Sequence, residues 1–148
     1  MEAPSLEALD ADERGLVEAA RVAAEGAYAP YSGFAVGAAV RMEDGSLRAG
    51  ANVENASYGL AVCAERVALW TAVAAGARRL EAVAVWTAGG SPAPPCGACL
   101  QVLAEFRPPG REVRVLLAGP DGLRRTTLAS LLPEVFGPAH LPPRGGAR

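Results

Sequence analysis

Three cysteines, set as Cys63-Ala64-Glu65 and Pro95-Cys96-Gly97-Ala98-Cys99, constrain this chain more than any other feature. The C-x-x-C pair stands at a predicted helix start, where Pro95 costs no hydrogen bond. Residues three apart on a helix share a face, so both sulfurs can point to one place. Alone, such a pair fits either a redox couple or half of a structural zinc site. Cys63 opens a second predicted helix, and the strand between the helices can bring both starts to one sheet edge. The result is three thiolates without a fourth protein ligand. Structural zinc sites are closed by four protein ligands, whereas catalytic ones leave a position for water. His140 is the single histidine. It sits in the C-terminal region and is expected to be a solvent-exposed imidazole, not a fourth ligand.

The neighbours of Cys63 fit a reactive centre. Three thiolates and Zn²⁺ sum to a charge of −1, which weakens the metal as a Lewis acid. Two helix N-termini can offset that charge with their partial positive ends. Arg66 can offset it further by donating to a thiolate. Glu65, two residues from Cys63, can move protons between water and substrate without ligating the metal. Outside this setting, Glu65 would be an ordinary first-turn glutamate and Arg66 a solvated cation.

Periodicity supplies the frame. A helix is expected from about 11 to 27, capped by Asp10 or Asp12, with Leu16, Ala20, Ala23 and Ala27 recurring at helical spacing. Strands at about 36–42 and 47–53 flank the hairpin signal Glu43-Asp44-Gly45-Ser46. A second helix follows at about 62–75, with Val67, Trp70, Val73 and Ala74 on one face and Gly76 as its stop. A buried strand at 82–87, a helix from about 96 to 106, strands at 113–117 and 123–127, and a short helix at 128–131 complete the order. The simplest packing is one mixed sheet of five strands with helices on its faces.

The 148 residues suit a single domain, 1–148, with a loosely structured tail from about 141. The formal charge of −2 offers no broad basic face for nucleic acid. Arg78-Arg79, Arg111 with Arg114, and Arg124-Arg125 are the only candidates for a local patch, and a solvated surface is the simpler reading. No apolar run reaches the ~20 residues of a membrane span. The acidic stretch Met1–Asp12 lacks the pattern of a signal peptide, so a cytoplasmic location is expected.

Taken together, these motifs resemble the cytidine deaminase family, in its small homotetrameric type with three zinc-binding cysteines. The resemblance runs from about Ala27 to Leu141. It takes in Tyr28-Ala29-Pro30-Tyr31-Ser32-Gly33-Phe34, Asn52-Val53-Glu54-Asn55-Ala56-Ser57-Tyr58, both cysteine motifs, Leu131-Leu132-Pro133 and Phe136-Gly137-Pro138. The paired cysteine motifs are close to the known zinc-deaminase signature, with cysteine in place of its histidine. The resemblance implies an α/β, three-layer cytidine-deaminase-like fold and one Zn²⁺ per subunit on Cys63, Cys96 and Cys99. It implies hydrolytic deamination of cytidine and deoxycytidine in pyrimidine salvage, in which zinc hydroxide attacks C4 and Glu65 shuttles the proton. It also implies that Asn52 and Glu54 hold the ribose hydroxyls and that Phe34 packs on the pyrimidine. Ala56, Tyr58 and Phe136 are implied to reach a neighbouring subunit's site. One departure is visible: Leu100 stands where many relatives carry arginine after the second cysteine. Arg66 is therefore expected to carry more of the charge compensation alone.

Overall fold

The computed structural model describes residues 8–144. The first seven residues of the acidic N-terminal stretch and residues 145–148 of the expected tail lie outside that range. Within it, 141–144 carry no helix or strand.

Eleven apolar or small positions at alternating spacing build the centre of a five-stranded sheet. Its strands are β1 (Val36–Met42), β2 (Leu47–Ala51), β3 (Leu80–Thr87), β4 (Arg114–Gly119) and β5 (Gly122–Thr127), in the order β2-β1-β3-β4-β5. The two hairpins and the β1/β3 contact are antiparallel, and β3/β4 is parallel. Only one of the two long helical crossovers therefore joins hydrogen-bonded neighbours. The crossover from β2 to β3 passes over β1, which lies between them.

One face of the sheet presents Ala39, Ala82, Ala84, Leu116 and Ala118 to helix α1 (Ala11–Ala24), which contributes Leu16, Val17 and Ala20. The other presents Ala38, Val40, Val83, Val85, Val115 and Leu117 to α2 (Ala64–Ala74) and α3 (Gly97–Glu105). Strand β3 is covered on both faces, which explains its unbroken apolar run. A fourth helix, α4 (Leu128–Leu131), closes the described elements of this kind.

The helices end earlier than periodicity suggests. α1 stops at Ala24 and not at Ala27 because the next residues tighten into a turn and the backbone of Tyr28 pairs with Asn52 and Glu54. β2 likewise stops at Ala51, since Val53 exchanges hydrogen bonds with Val62 at 3.0 Å each. The expected face of α2 is also corrected. Its buried residues are Ala64, Glu65, Ala68, Leu69 and Ala72, while Trp70 is 48% exposed. The reason is close approach to β2. A Cβ on Gly50 would lie 2.7 Å from Val67 Cγ1 and 2.8 Å from Ala68 N, so only small residues can face the sheet here. Helix α1 meets β1 as tightly: a Cβ on Gly37 would stand 1.9 Å from the Ala20 carbonyl oxygen.

Asp10 caps α1, and Glu13 completes a capping box by accepting from the Asp10 N–H. Glu13 also accepts from Arg125 on β5 at 2.7 Å, and Arg114 stands 3.7 Å away. The Arg125 hydrogen bond, opposed by burial, holds the Glu13 carboxyl below its ordinary value. Its stabilising effect is therefore complete above the unfolded value near 4.5 and is lost as pH falls through the lower folded value. Glu13→Gln keeps the capping box but loses the ion pair. It should cost about 1–2 kcal/mol at neutral pH and flatten the acid limb of a melting-temperature profile. A variant with an unchanged acid limb would refute this account.

Candidate metal centre and substrate cleft

Topology brings the cysteines together. β2 and β3 both run antiparallel to β1, so the helices that follow them start at the same edge of the sheet. Cys63 is the N-cap residue of α2 and Cys96 that of α3, both in extended backbone. Cys99 lies in the first turn of α3, where its N–H donates to Cys96 Sγ at 3.5 Å. The two caps put sulfurs where helix N–H groups and dipoles favour negative charge.

Cys63 and Cys96 Sγ are 3.8 Å apart, and Cys96 and Cys99 Sγ 3.4 Å. All three sulfurs lie within 4.8 Å of one another. Tetrahedral zinc with Zn–S bonds of about 2.3 Å places its sulfurs roughly 3.8 Å apart. The donor set and its spacing therefore fit zinc. Among the described residues, these cysteines form the only such cluster of possible ligands. His140 is engaged elsewhere: its Nδ1 accepts from the Gly137 N–H at 3.1 Å, and its ring stacks on Phe136.

Charge is unevenly shared among the sulfurs. The neighbouring Cys99 thiol holds the Cys63 thiol below its ordinary value against burial, and the Arg66 hydrogen bond adds to the pull. Cys99 is pushed up by the neighbouring Cys63, by burial and by the nearby Glu65. Binding a metal requires all three as thiolates and releases the protons they hold.

Arg66 Nη2 donates to Cys63 Sγ at 3.5 Å, and its guanidinium lies 6.0 Å from the Trp70 ring centroid. Its Nε is buried without a hydrogen-bond partner. Leu100, in contrast, is a buried member of the core under α2 and α3, so no cation stands at that position. Arg66 is the arginine in contact with the cluster.

Glu65 is 5% exposed, and its Oε2 lies 3.9 Å from Cys99 Sγ. Burial raises the affinity of this carboxyl for a proton, and the charge of Cys63 raises it further. A buried carboxyl with a raised proton affinity, beside a metal site, is suited to exchanging protons.

A cleft of about 370 Å³ opens at these sulfurs. Its walls include Phe34, Asn52, Glu54, Cys63, Glu65, Arg66 and Cys96, with Val36, Thr87, Ala93 and Pro94. Glu54 accepts from the N–H groups of Tyr31 and Ser32 at 3.0 and 3.1 Å and from Ser32 Oγ. Asn52 Oδ1 accepts from Val36 N at 2.9 Å, and its Nδ2 donates to the Phe34 carbonyl at 2.8 Å. Each amide atom keeps one further bonding position.

Three expected residues do not reach this cleft within one chain. Ala56 and Tyr58 sit on its outer side, with Tyr58 77% exposed and edge-on to Tyr31 at 6.0 Å. Phe136 lies beyond α3, where Gln101 donates to its carbonyl at 2.8 Å. The sequence reading assigned no role to Ser32 or Thr87, although both stand beside the cleft residues. Ser32 carries a readable signal, a hydroxyl two residues before an aromatic in a Gly-containing turn. Thr87 has none beyond its place at the end of β3.

Among the arginines proposed as a patch, four are tied down. Arg78 donates to the Val73 and Ala77 carbonyls, Arg111 pairs with Glu43, and Arg114 and Arg125 pair with Glu13.

Residues 10–115 match the family described as the cytidine and deoxycytidylate deaminase zinc-binding region. A cytidine deaminase of Halalkalibacterium halodurans is 49% identical over 126 residues, covering 84% of this chain and 94% of the relative. One from Mycobacterium tuberculosis is 46% identical over 133 residues, covering 90% and 96%. The crystal structure of a cytidine deaminase from Burkholderia pseudomallei superposes with a TM-score of 0.78 at 46% identity, over 86% of this chain and all of the other.

Proposed function

Since the chain belongs to the cytidine and deoxycytidylate deaminase family of zinc-binding hydrolases, we propose that it converts free cytidine and deoxycytidine to uridine and deoxyuridine, releasing ammonia, in pyrimidine salvage. The single observation that carries this reading is a buried carboxyl, Glu65, beside three convergent sulfurs at the floor of a nucleoside-sized cleft.

Cys63, Cys96 and Cys99 would hold the zinc. When bound, zinc supplies Lewis acidity that makes water a nucleophile near neutral pH. Glu65 would accept a proton from the attacking water, donate it to N3 of the ring and pass the water's second proton to the departing amine. Desolvation suits Glu65 to both halves of this cycle, because it must hold a proton at one stage and release it at the next. Arg66 offsets thiolate charge at Cys63. Phe34 packs against the pyrimidine, and the free bonding positions of Asn52 and Glu54 receive the ribose hydroxyls.

The exposed rings of Tyr58 and Phe136, with Ala56, are assigned to a neighbouring subunit's cleft in a homotetramer. Such sharing would enclose a nucleoside that one open cleft holds only partly.

The test is direct. Purified protein should contain one zinc per chain, run at four times the 15.1 kDa chain mass and form uridine from cytidine. Faster turnover of cytosine in single-stranded DNA or RNA would overturn the nucleoside assignment. Zinc without any deamination would leave a binding module in its place.

A further inference from the structure

Resting on the sugar-binding reading of Glu54, we propose that Ser32 is a positioning residue that orients Glu54 and Phe34 together for nucleoside binding. One hydroxyl serves both partners: Ser32 Oγ donates to Glu54 Oε2 and accepts from the Phe34 N–H at 3.0 Å. The second carboxylate oxygen of Glu54 is held from the same loop, by the Tyr31 and Ser32 N–H groups. Both oxygens are thus anchored to one turn twenty-two residues away in sequence, at residues 31–32.

A free glutamate side chain samples several rotamers, and ordering it on substrate binding costs on the order of 0.5–1.5 kcal/mol. Three hydrogen bonds made before substrate arrives remove that cost. They also leave one acceptor position free, on Oε2, since Oε1 already accepts two N–H groups. The Ser32 bond is the largest influence holding the Glu54 carboxyl below its ordinary value, which keeps it a pure acceptor for hydroxyls.

The turn has little freedom to move independently. Gly33 takes φ +68°, a left-handed conformation that favours glycine. Its N–H donates to the Ala29 carbonyl at 2.9 Å. Beyond the turn, the Phe34 ring rests on the Gly89 backbone, where a Cβ would come within 3.3 Å of two ring carbons. Asn52 fastens the next stretch through the Phe34 carbonyl and the Val36 N–H. Ser32 is therefore the joint between the ring that would meet the base and the carboxylate that would meet the sugar.

The zinc-loaded protein tests this with cytidine and 3′-deoxycytidine. Ser32 is exposed, so Ser32→Ala should fold normally. It should raise KM for cytidine about tenfold with kcat within about twofold, the size of one charge-assisted hydrogen bond. The rise should shrink with 3′-deoxycytidine, and Ser32→Thr should restore cytidine KM. A Ser32→Ala enzyme with unchanged cytidine KM, or with equal losses on both substrates, would overturn the proposal. Glu54→Gln separates the two levels. If it raises cytidine KM while Ser32→Ala does not, only the role of Ser32 is lost. If Glu54→Gln leaves KM unchanged, the sugar assignment of Glu54 fails and the positioning role falls with it.

Discussion

Glu65→Gln should retain zinc and lose deamination by roughly 10⁴-fold or more. The amide matches the carboxyl in size, so it fits the same enclosed space beside Cys99. It cannot give and retake a proton. General acid–base catalysis contributes about 10²–10⁴-fold for one transfer, and Glu65 is assigned more than one in the cycle. Fold and metal content should be nearly unaffected, since the three sulfurs are untouched and a carboxyl that resists ionisation is replaced by a neutral group. Metal analysis and a steady-state assay on one preparation decide the matter. A rate within tenfold of wild type would remove Glu65 from the reaction. A zinc loss in proportion to the activity loss would make it a structural prop of the cluster.

Cys99→Ala should empty the metal site and abolish turnover together. Of the three ligands, Cys99 is the buried one, fully enclosed at the first turn of α3. Its loss leaves two sulfurs on N-cap residues, and two thiolates make a poor zinc site. The sheet and helices should persist, because the apolar cluster joining α2 and α3 to the sheet does not pass through the metal. Zinc content near zero, undetectable uridine formation and a far-UV spectrum close to wild type is the expected combination. Full zinc retention in this variant would dismantle the three-sulfur centre.

The sulfur cluster was legible because it depends on residue type and spacing. A C-x-x-C at a helix start must put two sulfurs on one face, and a third cysteine at another helix start completes the set. The strands were legible for a similar reason: β3 is apolar at nearly every position because both of its faces are covered. The face of α2 was not legible. Almost every residue there is apolar or alanine, so hydrophobic periodicity carries little information, and the tight contact at Gly50 decides which side fits. Trp70, which periodicity grouped on one face with Val67, Val73 and Ala74, therefore lies largely exposed, under Arg66. The early end of α1 was equally hidden, since it is imposed by the pairing of Tyr28 with a segment more than twenty residues later.

By itself, the sequence determined which atoms could bind a metal and which strands would be buried, because these follow from local chemistry and short-range spacing. Only the tertiary structure decided how close Cys63 stands to Cys96, that Ser32 grips Glu54, and that the pairing of Tyr28 ends α1. Those facts depend on strand order and helix crossovers, which bring distant segments to one sheet edge through contacts that no local pattern encodes.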